Sequence, residues 1–204
     1  MNETYSYLYN DIFDKVIDDY HVFNEIAHPL QNPYSIDSLE YLLYEKCRID
    51  TMQWHMEDEV RNPSIDATEG MKWKRMIDKS NQDRTNIVER IDDHYLKKIN
   101  TQNIPGGAKL NTESPAWAID RLSILALKIY HMREETKRED ADKIHIAKCI
   151  DKLDLLLQQR KDLSAAIDDL FDDYKTGKKY MKVYRQVKMY NDPSLNPVLY
   201  DKKK

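Results

Sequence analysis

Four glycines and seven prolines in 204 residues leave long stretches of this chain without a helix breaker. Glycine and proline are the residues that most often interrupt helices, so their scarcity favours a few long helices over many short elements. Apolar residues recur at three- and four-residue spacing through most of these stretches, and no segment alternates apolar and polar residues over strand length. The first helix is expected from about Asn2 to His28, ended by His28-Pro29, because the residue before a proline is pushed out of the helical region. A second starts near Ser35 on the stripe Leu39, Leu42, Ile49, Met56 and Val60, and stops at Asn62-Pro63. A third runs from about Ser64 to Ile99.

After the loop Asn103-Ile104-Pro105-Gly106-Gly107-Ala108, a fourth opens with Thr112 or Ser114 as cap and Pro115 in its first turn, and runs through Met132. The fifth covers about Ala141 to Tyr174, with Gly177 as its stop. A short sixth, Lys178 to Met189, has Tyr180, Val183, Tyr184 and Val187 on one face and lysines and Arg185 on the other. The end, Asn191 to Pro197, reads as turn-rich and extended. Short connections between long amphipathic helices predict antiparallel neighbours. The expected fold is therefore all-α: one domain over 1–204, a bundle core over 1–175, a basic tyrosine-rich helix and tail over 176–204, and no sheet.

Hydrophobic residues at 41% suffice for one buried core, and fourteen tyrosines argue against whole-chain disorder. Lys and Arg total 32 against 36 Asp and Glu, so bulk charge names no partner. Its distribution is less even. From Tyr174 onward nine Lys or Arg face two Asp, a net of +7, which leaves −11 on the other 173 residues. Such a tail can dock on its own acidic body or meet an external anion. Docking is the expectation here, with tyrosines packed on the body and lysines at the rim, and nucleic acid is not an expected partner. The two cysteines, Cys47 and Cys149, match no metal knuckle and read as reduced, buried thiols. The N-terminus lacks a basic region followed by an apolar one, so no signal peptide is expected. The most apolar stretch, Ala116 to Met132, holds Asp120, Arg121 and Lys128, which excludes a membrane span. These points predict a cytoplasmic protein.

Polar residues on apolar faces are the candidate functional residues. On the third helix Asn81 and Arg84 point the way Ile77, Val88, Ile91 and Tyr95 point. A buried guanidinium is costly unless paired, so Arg84 requires a carboxylate or a ligand. On the fourth helix Trp117, Asp120, Arg121, Lys128 and His131 fall within an arc of about 100°. That arc is either a thin solvent-facing stripe or the wall of a polar pocket. On the second helix Asp50, Trp54, Glu57, Asp58 and Arg61 share an arc beside the core stripe. Asp58 or Glu57 would be the partner of Arg84 if helices two and three pack antiparallel. Their heights from the turn differ by roughly 24 Å at the rise of a helix, so Asp120 is an equally open candidate.

No metal site is expected. Glu25-x-x-His28 is half of a carboxylate-bridged di-metal pattern without its second half, and Asp18-x-x-His21 and Asp142-x-x-His145 are only formal relatives. Phosphate-loop, dinucleotide and nucleophile-elbow motifs are absent, and Gly106-Gly107 before the fourth helix is a weak anion signal. No cofactor is implied.

The segment from Glu113 to Met132, beginning Glu113-Ser114-Pro115-Ala116-Trp117-Ala118-Ile119-Asp120-Arg121, resembles the signature of a bacterial family of domains of unknown function, DUF4254. Trp54-His55-Met56-Glu57-Asp58, Asn81-Gln82-Asp83-Arg84-Thr85, Met181-Lys182-Val183-Tyr184-Arg185-Gln186 and Lys188-Met189-Tyr190-Asn191-Asp192-Pro193 fit it as well. The resemblance implies a bacterial, Bacteroidota-type cytoplasmic protein, of a kind often encoded near sugar transferases of the cell envelope. It carries over no catalytic residue.

The leading expectation is a ligand-binding or accessory protein of envelope glycan metabolism. Its polar pocket between helices two, three and four would use Asn81, Arg84, Trp117, Asp120, Arg121, Lys128, His131 and Asp58. Arginine, lysine and histidine together suit a phosphate or carboxylate. The first alternative is an enzyme on such a ligand, with His131 or His55 as general acid or base oriented by Asp120. The second is an adaptor that captures a glycosyltransferase, or a second copy of itself, through the C-terminal helix.

Overall fold

A computed structural model of the chain describes residues 4–26, 28–99, 104–186, 193–195 and 198. Five long helices follow one another: α1 Tyr5–His21, α2 Leu39–Arg61, α3 Ala67–Lys98, α4 Pro115–Thr136 and α5 Lys143–Lys175. Four start on a side-chain cap that satisfies backbone N–H groups left without helical partners. Thr4 accepts from Tyr7, Ser38 from Tyr41, Asp66 from Thr68 and Glu69, and Asp142 from His145. The start of α4 is held from outside. Asp92 of α3 accepts from the Ser114 hydroxyl at 2.6 Å and from the Ala116 amide at 3.1 Å. The anion at this helix start is therefore the protein's own carboxylate.

Two expected elements are corrected. The first helix stops at His21, not at His28-Pro29. The Phe23 and Asn24 amides both bond back to the Tyr20 carbonyl, and Asn24 takes a left-handed φ of 53° that no helix continues through. The expected sixth helix is absent over Lys178 to Gln186, and its remainder lies outside the described residues. Lys179–Tyr180 forms a strand, β2, paired in parallel with β1, Lys109–Leu110. Non-local contacts override the local amphipathic pattern there. Met181 is buried in the core, and Arg185 bonds Glu89, at 3.4 Å, and Asp93, both on α3. The described part of the basic tail thus docks on the acidic body. Of the expected extended end, Pro193–Leu195 forms a single 3₁₀ turn.

All five helices feed one apolar core, with Tyr9, Phe13, Leu43, Val88, Ile119, Leu122 and Phe171 among its members. Polar contacts give the relative placement of the helices. Gln53 meets Ser80 and Asn81, and Asp50 faces Arg84, so contacts climb α3 as they descend α2. Asp92 with Ala116 and Arg84 with Asp120 do the same between α3 and α4. Between α1 and α5 the steps are Ser6 to Asp168, Asn10 to Ser164 and Asp14 to Arg160. The α1–α2 pair differs, since Phe13 meets Cys47 and His21 meets His55. These two helices advance together, and the long 22–38 connection returns the chain to make that possible. As a result the ends of α1 and α2 lie beside the later turns of α4. Among the described residues no helix is long and apolar enough to cross a membrane.

Two residues after the end of α5 at Lys175, Gly177 takes a left-handed φ of 71°. A Cβ there would stand 2.6 Å from the Pro105 ring. Gly177→Ala should therefore lose at least the roughly 1–2 kcal/mol of a left-handed alanine. Thermal unfolding would show this as a drop of about 2–8 °C. Gly106→Ala, with nothing within 4 Å of the added Cβ, should leave the melting temperature unchanged.

Candidate functional site

At the centre of α2, α3 and α4 four charged side chains pair off. Lys46, fully buried, bonds Asp50 one turn along α2 and sits 2.8 Å from Asp120 of α4. Its ammonium also donates to the Asp120 backbone carbonyl at 3.3 Å. Arg84 of α3 grips Asp120 with two nitrogens, Nε at 2.9 Å from Oδ1 and Nη2 on Oδ2. Its Nε lies 3.4 Å from Asp50 Oδ1, close enough for attraction but not aligned as a hydrogen bond, so that oxygen has no hydrogen-bond donor. Ser123 of α4 donates to Asp50 Oδ2 at 2.6 Å. Two cations meet two carboxylates, so the cluster balances its own charge. Burial pushes the Asp50 carboxyl above its ordinary range, and the Lys46 ammonium opposes that rise.

Arg84 is therefore tied to carboxylates, and the partners are Asp120 and Asp50 rather than Asp58. Asp58 bonds Arg61 at the surface. Lys46 has no place among the residues singled out from the sequence, although its spacing was a signal. It stands four residues after Leu42 and three before Ile49, inside the apolar stripe of α2, where a lysine needs a buried anion.

The remaining candidates spread along α4. Asp120 is buried in the cluster, Trp117 packs half-buried against the core, and Arg121 is exposed on Glu113 at 2.9 Å. Asn81 is exposed and accepts from Gln53. Three adjoining cavities run past this face. One of about 620 Å³ is lined by Arg84, Asp120, Arg121 and Lys128 of α3 and α4 and by Leu163 of α5. One of about 540 Å³ is lined by Trp54, Asp58, Lys128, His131, Glu134, Glu135 and Leu156. A third, about 300 Å³, joins Trp54 to Arg84. Lys128 lies on the first two, and among the described residues it has no ion-pair or hydrogen-bond partner. The α4 arc is thus neither all solvent stripe nor all pocket wall.

At the far end of the groove three histidines converge. His21 ends α1, His55 is on α2 and His131 on α4, all half-buried. His21 Nδ1 donates to the Ile17 carbonyl at 2.7 Å, which leaves its Nε2 as a lone pair, 3.3 Å from His55 Nε2. His131 stacks on Trp54 at 4.6 Å with the rings nearly parallel. Burial lowers the basicity of all three, and repulsion from the other two takes His131 down to about 4. No helix carries two of them, so spacing along one helix could not reveal the group. His28 does not join it and stacks on Phe23.

The profile of a family described as "Protein of unknown function (DUF4254)" matches residues 40–183. The chain belongs to the DUF4254 family. No curated protein and no solved structure matches it. The DUF4254 match spans the whole charge cluster, Trp54, Lys128, His55 and His131, and starts after His21.

Removing Lys46 would leave two buried carboxylates sharing one guanidinium. Breaking a buried pair from one side costs about 3–5 kcal/mol, so Lys46→Met should lose that much in urea unfolding. A loss under about 1 kcal/mol would mean the cluster does not bear on stability.

Proposed function

We propose that this DUF4254 member is a cytoplasmic ligand-binding protein of cell-envelope glycan metabolism, whose groove along α4 takes an anionic small molecule. The helices then act as an antiparallel bundle whose α2, α3 and α4 form one wall of the groove. The opposite stepping of contacts in the α2–α3, α3–α4 and α1–α5 pairs supports that arrangement. The glycan setting rests on the family resemblance alone.

One observation carries the binding reading: Lys128 sits where the two larger cavities meet and, among the described residues, has no ion-pair or hydrogen-bond partner, while Lys152, likewise without one, lines the cavity of about 540 Å³. The other expected cations are engaged, Arg84 by Asp120 and Asp50, Arg121 by Glu113. Trp54 and the parallel His131 ring offer a flat shelf beside Lys128 for a sugar or base face. Asp58, Glu134 and Glu135 rim the same cavity, paired with Arg61, Lys137 and Arg138, so they oppose an anion there less than free carboxylates would. The groove therefore favours a ligand that joins an anionic group to a ring, such as a sugar phosphate or nucleotide sugar.

The enzyme alternative loses its expected pair, because Asp120 is held by Lys46 and Arg84 and orients no histidine. The adaptor alternative loses its expected helix over Lys178 to Gln186.

A thermal-shift panel of sugar phosphates, nucleotide sugars and nucleotides tests the reading. A ligand at 100 times its dissociation constant stabilises by about 2.7 kcal/mol. At this size that raises the melting temperature by roughly 5–10 °C. Lys128→Ala, at an exposed position, should keep the fold and abolish the shift. A flat panel, or a shift untouched by Lys128→Ala, would overturn it.

A further inference from the structure

We propose that His21, His55 and His131 form a binding site for one divalent transition-metal ion, of the zinc class, held by three imidazole nitrogens from three helices. One ring nitrogen from each histidine lies within 4.8 Å of the others. Zinc–nitrogen bonds of about 2.0–2.1 Å in a tetrahedral site put ligand nitrogens about 3.3–3.4 Å apart. The His21 and His55 Nε2 atoms are 3.3 Å apart already.

Two further observations separate this group from a chance meeting of rings. His21 donates its Nδ1 proton to the Ile17 carbonyl. That bond fixes the tautomer and aims a lone pair inward, as the outer hydrogen bond of a metal-ligating histidine does. His131 Nε2 is buried with no hydrogen-bond partner among the described residues. Leaving a buried ring nitrogen unpaired is costly, and a metal ion would satisfy it. A plain His21–His55 hydrogen bond accounts for the close pair but leaves the His131 nitrogen unexplained.

The rings are also held in place. Tyr130 stacks on His21 at 4.1 Å, Tyr20 on His55 at 5.0 Å and Trp54 on His131 at 4.6 Å. Imidazole donors suit zinc, copper, nickel and iron, and a group of three histidines with no carboxylate oxygen disfavours magnesium and calcium. Three protein ligands are the donor number of catalytic rather than structural zinc, since they leave a coordination position for water or a ligand oxygen. His131 also lines the cavity of about 540 Å³, so the ion would stand at the end of the groove. The site does not depend on the groove binding an anion.

A second cluster, Glu135, His145 and Cys149, is the competing location for an added metal. His145 there already bonds the Glu135 carboxylate at 3.1 Å.

The test is calorimetric titration of Zn²⁺ into the full-length, chelator-treated chain at pH 7.5, with Co²⁺ absorption as a second readout. The expected result is one ion per chain, with affinity lowered at least tenfold in His55→Gln and in His131→Gln and unchanged in His145→Gln. Bound Co²⁺ should show visible bands of a low-coordinate nitrogen site and no near-ultraviolet thiolate band. Circular dichroism confirms that each variant is folded. If His131→Gln does not fold, His55→Gln and the cobalt spectrum decide. Absence of binding at 100-fold molar excess would overturn the proposal. So would full affinity in folded His55→Gln and His131→Gln, or a thiolate band that disappears in Cys149→Ser.

Discussion

Three of the five helices are tied to one another by the pairing of Lys46 and Arg84 with Asp50 and Asp120. α4 is apolar on most of its circumference, so hydrophobic contact alone would let it slide or rotate against α2 and α3. The charges remove that freedom. Asp120 must face Lys46 and Arg84 at once, Ser123 must reach Asp50 one turn further along, and Asp92 must meet the first turn of α4. A shift of one turn would bury carboxylates without cations, at a cost well above any packing gain. Register, more than raw stability, is what such a cluster supplies.

That register sets the geometry of the groove and of the histidines. With Asp120 fixed inward, Lys128 lands two turns later on the open side and His131 lands beside α1 and α2. The parallel advance of α1 and α2 brings His21 and His55 to the same end. One helix therefore carries both features, the buried charge cluster in its first half and the groove-lining Lys128 and His131 in its second. The separation also explains why Arg84, the natural first candidate for an anion, is spoken for while Lys128 has no ion-pair partner among the described residues.

The helices were legible because their punctuation is local. Ser114-Pro115 starts α4 as expected and Asn62-Pro63 and Gly177 follow helix ends, while the starts expected near Ser35, Ser64 and Ala141 lie one to three residues before the caps Ser38, Asp66 and Asp142. The C-terminal helix was misread because Tyr180 and Met181 gain more from the strand pairing and the core than from local helical spacing. In the site, Arg84 on an apolar face correctly demanded a carboxylate, and the awkward height of Asp58 pointed away from it. Lys46 was visible in the α2 stripe by the same logic. The three histidines were not visible, because each is alone on its helix and only the packing of α1, α2 and α4 joins them.

The central claim is that the four charges act as one balanced unit. The most direct measurement is a double-mutant cycle of Arg84→Leu and Asp120→Leu by equilibrium urea unfolding. Either replacement alone leaves an odd buried charge, whereas both together leave the balanced Lys46–Asp50 pair. The double variant should therefore be more stable than the sum of the single losses implies, by more than about 1 kcal/mol. Losses that add within about 0.3–0.5 kcal/mol would show independent surface-like contacts and contradict the account.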